Sequence, residues 1–277
     1  MDALPDLSAL LGDAAPHLAV TREGGVVTVA FTRPDKHNAI SYVMWHAFGR
    51  LMPALAQDDA VDVVVVRGTP GGPFSSGADI AEFTTLRADP EGARLYGEAV
   101  EAGEQALIRF PKPTVALIEG FAIGGGSQIA LACDLRVCET RSRFGITPAK
   151  LGIVYALGST ARLVEVVGPA WARWILLTGD LIDAATALRI GLVHEVVETG
   201  AVEERAYALA ATMASRARIS LVGGKELVGR CARGELEVDD DVEALYRASW
   251  TSAEYAEGVA AFLAKRAPDF PGARGDG

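Results

Sequence analysis

The stretch that decides the fold is "GFAIGGGSQIALACD", residues 120–134. Three consecutive glycines, Gly124, Gly125 and Gly126, lead into an apolar run with the spacing of a helix. Such a run can cradle a phosphate, supply N–H donors to an oxyanion, or allow two chain segments to pack tightly. Gln128 adds a second question, because it stands where that helix begins.

The rest of the chain alternates strand and helix patterns up to about residue 200. Residues 17–33 predict a hairpin that turns at Gly24-Gly25. The runs "VDVVVVRG" (61–68) and "TVALIEG" (114–120) are typical of strands buried on both faces, and the glycine run follows the second directly. This order predicts an α/β fold with mainly parallel strands. From Ala201 onward the sequence is helical, and this part either packs back on the sheet or reaches a neighbouring subunit.

Composition excludes several classes of protein. The net charge of −10 argues against nucleic-acid binding through general electrostatics. The three cysteines form no C-x-x-C pair, which predicts reduced thiols in a cytoplasmic protein and no metal site. No apolar run approaches the roughly 20 residues of a membrane span, and no secretory signal is recognised. The Arg-Gly-Asp triplet at 274–276 is interpreted as chance, within a frayed tail.

Two glycine turns follow the buried strands, "SSGAD" (75–79) and "GGGSQ" (124–128). Side by side, they could direct two backbone N–H groups at one oxygen, as in an oxyanion hole. A dinucleotide fingerprint fails because Ile129 takes the place of its last glycine, and neither a P-loop nor a G-x-S-x-G elbow is present. A purely structural glycine turn stays open as the alternative.

Ordered motifs carry a resemblance to a known family. They are "TRPDKHNAI", "VVVVRG…FSSGADIAEF", "KPTVALIEGFAIGGGSQIALACDLRV", "RFGITPAKLGIVY", "LTGDLIDAATALRIGLVHEVV" and "EGVAAFLAKRAPDF". In this order and spacing the chain resembles the crotonase superfamily, the enoyl-CoA hydratase/isomerase family, from about Thr28 to Phe270.

The resemblance implies a crotonase-type ββα spiral, an α/β fold, over residues 15–200, with a C-terminal helical trimerisation region over 201–270. It implies a homotrimer or a dimer of trimers acting on an acyl-CoA thioester in fatty acid metabolism. Coenzyme A is carried by the substrate, so no separate cofactor is expected.

The resemblance also assigns roles to residues. The N–H groups of Ala78 and Gly125 would polarise the thioester carbonyl. Residues expected to lie along the CoA moiety are Lys36, His37, Ala39, Asp79, Ile80 and Ala81, with Ala78 and Gly125 at the thioester. Lys265 would help to hold the phosphorylated adenosine of a neighbouring subunit's ligand.

The chain departs from the family pattern at both catalytic glutamates. The first is replaced by Gln128, and the second aligns with Pro148. An amide cannot serve as a general base, so the two-glutamate hydration mechanism is in doubt. Tyr155 is a further candidate, since "ITPAKLGIVY" is similar to a segment of methylmalonyl-CoA decarboxylase.

Three hypotheses follow from this departure. The first is a hydratase or isomerase with an unusual acid/base set. The second is a decarboxylase or lyase that uses Tyr155 and Gln128, although the family decarboxylase has a histidine where this chain has Ala78. The third is a CoA-ester-binding protein with little catalysis.

Overall fold

The structure, a computed structural model, describes residues 7–274. Of the Arg-Gly-Asp triplet only Arg274 lies within them. The prediction of a frayed tail is wrong for residues 271–274, which belong to a helix, Phe270–Arg274, where Arg274 pairs with Asp62 at 3.1 Å and with Glu254 at 2.8 Å. The strands are β1 Leu18–Glu23, β2 Val26–Phe31, β3 Val63–Arg67, β4 Thr114–Ile118, β5 Phe121–Ile123, β6 Leu135–Glu139, β7 Arg143–Gly145, β8 Ile182–Asp183 and β9 Glu195–Val197.

The helices in the first two thirds are α1 Ser8–Leu11, α2 Tyr42–Gln57, α3 Phe83–Leu86, α4 Pro90–Ile108, α5 Gly125–Ala132, α6 Leu157–Thr178 and α7 Ala184–Arg189. Those that follow are α8 Val202–Ala214, α9 Arg218–Ala232, α10 Asp240–Thr251, α11 Ala253–Ala264 and α12 Phe270–Arg274. Short 3₁₀ turns span Gly12–Ala14, Pro34–Lys36, Ile80–Glu82 and Pro148–Lys150.

A six-stranded sheet in the order β1-β2-β3-β4-β6-β9 forms the frame. Strands β1 and β2 pair antiparallel across Gly24 and Gly25, which confirms the predicted hairpin. Every other pair in this sheet is parallel. The mainly parallel α/β class is therefore confirmed.

The central strands are buried on both faces, as their β-branched runs predicted. On β3, Val63 and Val65 pack under α8, whereas Val64 and Val66 join the larger core on the opposite face. The loops that follow these strands therefore project from a sheet that is packed on both faces. Among residues 7–274, no helix is both long enough and apolar enough to span a bilayer.

The glycine run does not follow β4 directly, so that detail of the sequence interpretation was wrong. Gly120 adopts a φ of +60°, and the short strand β5 intervenes before the glycines. Strand β5 pairs with β7, and β7 with β8, in a separate three-stranded sheet. The segments β4-β5-α5 and β6-β7-α6 thus repeat one ββα unit, whose two strands join different sheets.

The C-terminal helices divide into two groups by packing. Helix α8 packs on the six-stranded sheet through apolar contacts. Helix α9 is fastened to the frame by ion pairs, Lys225 to Asp134 at 2.7 Å and Arg218 to Asp62 at 2.8 Å. Exposed large apolar residues remain on α10 and α11, namely Trp250, Tyr255, Phe262 and Leu263. The division at residue 200 and the trimer stay predictions.

Candidate active site

One cavity of about 510 Å³ lies where the two glycine turns meet helix α4. Its walls come from the turn after β3, the start of α5, one face of α4 and the segment 146–159. The structure brings four sequence-predicted residues together in this lining: Ala78, Gly125, Gln128 and Tyr155. Their proposed roles stay predictions at this point.

The two turns lie side by side because their backbones pair. The Ser75 N–H donates to the Phe121 carbonyl at 3.0 Å, and the Ile123 N–H donates to the Ser75 carbonyl at 3.0 Å. Gly77 has a φ of +102°, and a Cβ there would lie 2.8 Å from the Ile123 oxygen. Only glycine fits this point, so the close approach of the two turns depends on it.

Ala78 pairs with Ile40 in a parallel bridge, and its own N–H points away from Ile40. Ile40 donates to the Gly77 carbonyl at 2.7 Å and accepts from the Asp79 N–H at 3.0 Å. In a parallel pairing the intervening residue directs its own N–H to the opposite side. The Ala78 N–H is thereby turned away from the Ile40 segment.

The N–H of Gly125 is the first of helix α5 and has no intrahelical acceptor. A Cβ on Gly125 would lie 3.4 Å from the Ala78 nitrogen, so the two backbones are in close proximity. Within residues 7–274, neither N–H has a hydrogen-bond acceptor. Two adjacent, unpaired donors in a cavity wall can bind one negatively charged oxygen.

Gln128 lies one turn further along α5 and is 8% exposed. Its Nε2 donates to the Ser159 hydroxyl at 2.7 Å and lies 3.4 Å from Oε2 of Glu104. The Ser159 hydroxyl in turn donates to the same Glu104 oxygen at 2.5 Å. A carboxyl group from α4 therefore lies beside the Gln128 amide.

Glu104 is buried, with 3% of its surface exposed. Burial raises the pKa of the Glu104 carboxyl, and nearby Glu101 adds to the rise, while Ser159 and Gln128 oppose it. Burial also raises the pKa of the Tyr155 hydroxyl well above its usual value. A carboxyl with a raised pKa beside an oxyanion site is a functional candidate.

Three buried polar atoms on cavity-lining residues have no partner within the described chain. They are the hydroxyls of Tyr96 and Tyr155 and the Oε1 atom of Glu104. Buried polar atoms are nearly always hydrogen-bonded, so unpaired ones on the residues of one cavity lining indicate a place where a ligand or water binds.

The alignment of Pro148 with the family's second glutamate stays a prediction. Pro148 lines the cavity and begins a 3₁₀ turn, so this position offers no titratable group. Over residues 7–274, no group of three or more His, Cys, Asp and Glu side chains could hold a metal ion.

The residues predicted to follow the CoA moiety fall in two places. Ile80 lines the cavity itself. Lys36, His37 and Ala39 lie in the segment that pairs with the Ala78 turn, where the Ser76 N–H donates to the His37 carbonyl at 3.0 Å.

The other predicted CoA contacts lie outside the cavity lining. The carboxylate of Asp79 accepts from Arg33 at 2.8 Å and from the Ala81 N–H at 3.3 Å. Lys265 lies directly after α11 with a φ of +53°.

Sequence reasoning missed Glu104 and Ser159. A signal for Glu104 was present, because Val100, four residues before it, and Leu107, three after it, place it on the apolar face of α4. Gly103 fixes this face against α2, since a Cβ there would lie 2.7 Å from the Trp45 oxygen. No comparable signal marks Ser159.

Known proteins resemble this chain over most of its length. The family profile described as enoyl-CoA hydratase/isomerase matches residues 21–273. The mouse protein "enoyl-CoA hydratase domain-containing protein 2, mitochondrial" is 32% identical over 256 residues, which cover 90% of this chain and 85% of its own. The crotonyl-CoA hydratase of Syntrophomonas wolfei is 29% identical over 258 residues, which cover 93% and 98%.

Solved structures agree with this result. An "enoyl-CoA hydratase/carnithine racemase" from Magnetospirillum magneticum matches with a TM-score of 0.88 and 34% identity, covering 92% of this chain and 95% of its own. The enoyl-CoA hydratase of Mycobacterium smegmatis matches with a TM-score of 0.82 and 30% identity, covering 92% and 99%. These matches confirm the expected crotonase fold.

Proposed function

Because the chain belongs to the enoyl-CoA hydratase/isomerase family, we propose that it is an enzyme that transforms an acyl-CoA thioester by stabilising its enolate. In this proposal the thioester oxygen binds between the N–H groups of Ala78 and Gly125. The observation that carries it is the adjacency of these two unpaired donors in the wall of one cavity.

The physical fit supports this assignment. An enolate gathers negative charge on one oxygen, and backbone donors that are already in place need no reorientation to meet it. Each such donor contributes on the order of 3 kcal/mol to lowering the barrier. The cavity is also lined by apolar residues such as Ile146, Ile153 and Leu157, which suit an acyl chain.

The remaining parts of the ligand and assembly are assigned by family resemblance. The CoA moiety is placed along Lys36–Ala39 and Asp79–Ala81. Lys265 is assigned to the ligand of a neighbouring subunit in a trimer or a dimer of trimers. A cytoplasmic location belongs to the same proposal.

The variant Gly125→Ala tests the oxyanion assignment. Its methyl group would stand 3.1 Å from Cζ2 of the buried Trp45 and 3.4 Å from the Ala78 nitrogen, so it should displace the two turns that carry the donors. Turnover should fall by about 100-fold or more, the range for losing an oxyanion donor. Gly49→Ala is the matched control, since a Cβ there meets nothing within 4 Å.

The assay should measure water addition to crotonyl-CoA, double-bond isomerisation of a 3-enoyl-CoA, and carbon dioxide release from methylmalonyl-CoA. Gly125→Ala and Gly49→Ala should differ in whichever reaction wild type performs. Equal activity of the two variants would refute the oxyanion assignment. Tight CoA-ester binding with no turnover on this panel would identify a binding protein instead of an enzyme.

A decarboxylase is the second candidate, and Tyr155 is the observation that favours it. Its buried hydroxyl has no partner among residues 7–274 and belongs to a cavity-lining residue, so it could hold a substrate carboxylate. The nearby Glu104 opposes this candidate, because two negative carboxylates repel. Carbon dioxide release that Tyr155→Phe abolishes would establish it.

A further inference from the structure

Glu104 is a buried carboxyl without a compensating charge. Within the described chain, no Lys, Arg or His side chain forms an ion pair with it. Its titratable and charged neighbours are Glu101 on its own helix, Arg162 on α6, and Tyr155 in the segment before α6. The Arg162 guanidinium is committed elsewhere, to Glu165 at 2.9 Å and the Leu131 carbonyl at 2.9 Å.

One carboxylate oxygen is held and the other is free. Oε2 of Glu104 accepts from Ser159 at 2.5 Å and is approached by Gln128 at 3.4 Å. Oε1 is buried and has no partner among residues 7–274, and Glu104 is one of the residues that line the cavity. Two donors on one oxygen fix the carboxyl plane, while the unpartnered oxygen is available to a proton.

The amide at position 128 and the carboxyl at position 104 are compatible because only one of them is charged. A glutamate at 128 would bring a second carboxylate to about the 3.4 Å that now separates Nε2 from Oε2. Two carboxylates at that distance cannot both be ionised, whereas an amide donates to its neighbour. The neutral amide of Gln128 therefore allows the Glu104 carboxyl beside it to ionise.

From this geometry we infer that Glu104 is the proton-transferring residue of the site, that Gln128 and Ser159 position it, and that the substrate is an acyl-CoA with a removable α-proton. This inference rests on the proposed enolate function. It assigns the acid/base role to α4, one helix away from the position where the family pattern has its first glutamate.

The step balances within the site. Oε1 of the ionised Glu104 takes the α-proton, the Cα–H bond breaks, and its electron pair makes the bond between Cα and the thioester carbon a double bond while the carbonyl π pair moves to oxygen. The negative charge moves to the thioester oxygen between Ala78 and Gly125. Glu104 then returns the proton to the α-carbon, which gives exchange, or to the γ-carbon of a 3-enoyl ester, which moves the double bond. One acid/base residue is sufficient for either outcome.

Exchange of the α-protons of butyryl-CoA in deuterium oxide, followed by proton NMR, tests this step alone. A saturated ester offers no double bond to hydrate and no carboxylate to lose. Glu104→Gln keeps the side-chain volume and should lower the exchange rate by about 100-fold to 10,000-fold, the contribution of a general base. Binding of butyryl-CoA should stay unchanged.

Glu91→Gln is the matched control, because this glutamate lies on the same helix, is paired with Arg94 and is absent from the cavity lining. Ser159→Ala gives a second measure of the positioning role. Exchange requires the ionised carboxylate, so its rate rises with pH through the pKa of Glu104. Ser159 lowers that pKa, so Ser159→Ala should move this rise to higher pH, whereas Glu104→Gln should remove it.

The outcomes separate the two proposals. Wild-type exchange that survives in Glu104→Gln but is lost in Gly125→Ala would overturn this inference and leave the oxyanion assignment standing. Exchange lost in Glu104→Gln without a matching loss of ester binding, and retained in Glu91→Gln, supports it. No exchange by wild type would overturn the enolate function and the inference that rests on it.

Discussion

Two buried carboxylates near the cavity, Asp79 and Glu104, have opposite surroundings. Asp79 is 8% exposed and paired with Arg33 at 2.8 Å, whereas Glu104 is 3% exposed and has no cationic partner in the described chain. Burial by itself would raise both pKa values. At Asp79 the Arg33 guanidinium, together with Lys36 and the Ala81 N–H, outweighs burial and lowers the pKa, while the pKa of Glu104 stays raised.

The difference separates a carboxylate that has a cationic partner from one that has none in the described chain. Asp79 is compensated on both oxygens, by Arg33 and by the Ala81 N–H, and it holds the turn that carries Ala78. Glu104 is compensated on one oxygen only and costs stability as a charge. An ionisable group without a partner in a cavity is a candidate for a catalytic role, and one with a partner is a candidate for a structural role.

The largest effect is expected when Asp79 loses its partner. Arg33→Ala leaves a buried, unpaired carboxylate and should lower the free energy of unfolding by about 3 kcal/mol. Chemical denaturation at neutral pH measures this change. Arg94→Ala, which removes exposed ion pairs to Glu91 and Glu98, is the control and should cost far less. Equal losses of unfolding free energy in Arg33→Ala and Arg94→Ala would contradict the stabilising role given to the Arg33–Asp79 pair.

A change in unfolding free energy of the opposite sign, a stabilisation, is expected when Glu104 is substituted. Glu104→Gln removes a buried charge while keeping its shape, and it should raise the free energy of unfolding by about 1 kcal/mol at neutral pH. The raised folded-state pKa of Glu104 means that its ionisation costs stability above that pKa, and that this cost is absent below the unfolded pKa. The gain in Glu104→Gln should therefore shrink as pH falls.

Asp79 should follow the reverse pH dependence. Its folded-state pKa is lowered, so its ion pair stabilises the protein above the unfolded pKa, and this stability is lost as pH falls through the folded pKa. Melting temperatures of wild type, Arg33→Ala and Glu104→Gln from neutral to acidic pH would check both signs. A Glu104→Gln variant that is less stable than wild type at neutral pH contradicts the comparison.

The smallest effect is expected from Tyr155→Phe, which removes a buried hydroxyl without a partner. Stability should rise by at most about 1 kcal/mol, because no hydrogen bond is lost. Tyr207→Phe is the matched control, since its hydroxyl bonds to Thr28 Oγ1 at 2.9 Å and its loss should destabilise by about 1 kcal/mol. Thermal unfolding of both variants measures this difference, and destabilisation by Tyr155→Phe would indicate a bound partner.

The sequence predicted what depends on local patterns. The β-branched run in β3 and the glycine pair of the first hairpin have local causes, and the two glycine turns could be placed beyond buried strands. Strand β5 escaped because three residues, "FAI", are too few to show a strand period. The family resemblance predicts the absence of both glutamates.

Glu104 was not predicted as a candidate site residue because its surroundings are set by residues far away in the sequence. It lies 24 residues from Gln128 and 55 from Ser159 along the chain. On α4 it is one of several glutamates, and only its place between Val100 and Leu107 on the apolar face sets it apart. Side-chain partnerships of this kind are fixed by tertiary packing, which spacing within one helix does not reveal.

The tight backbone contact between Gly125 and Ala78 has an evolutionary consequence. The two donors are main-chain N–H groups, so a substitution at position 104, 128 or 159 does not remove them. A side chain at Gly125 would instead crowd Trp45. If the proposed function holds, mutation can move the acid/base group from one helix to another while the backbone donors to the thioester are inherited unchanged, and new reactions can arise from a binding site that does not change.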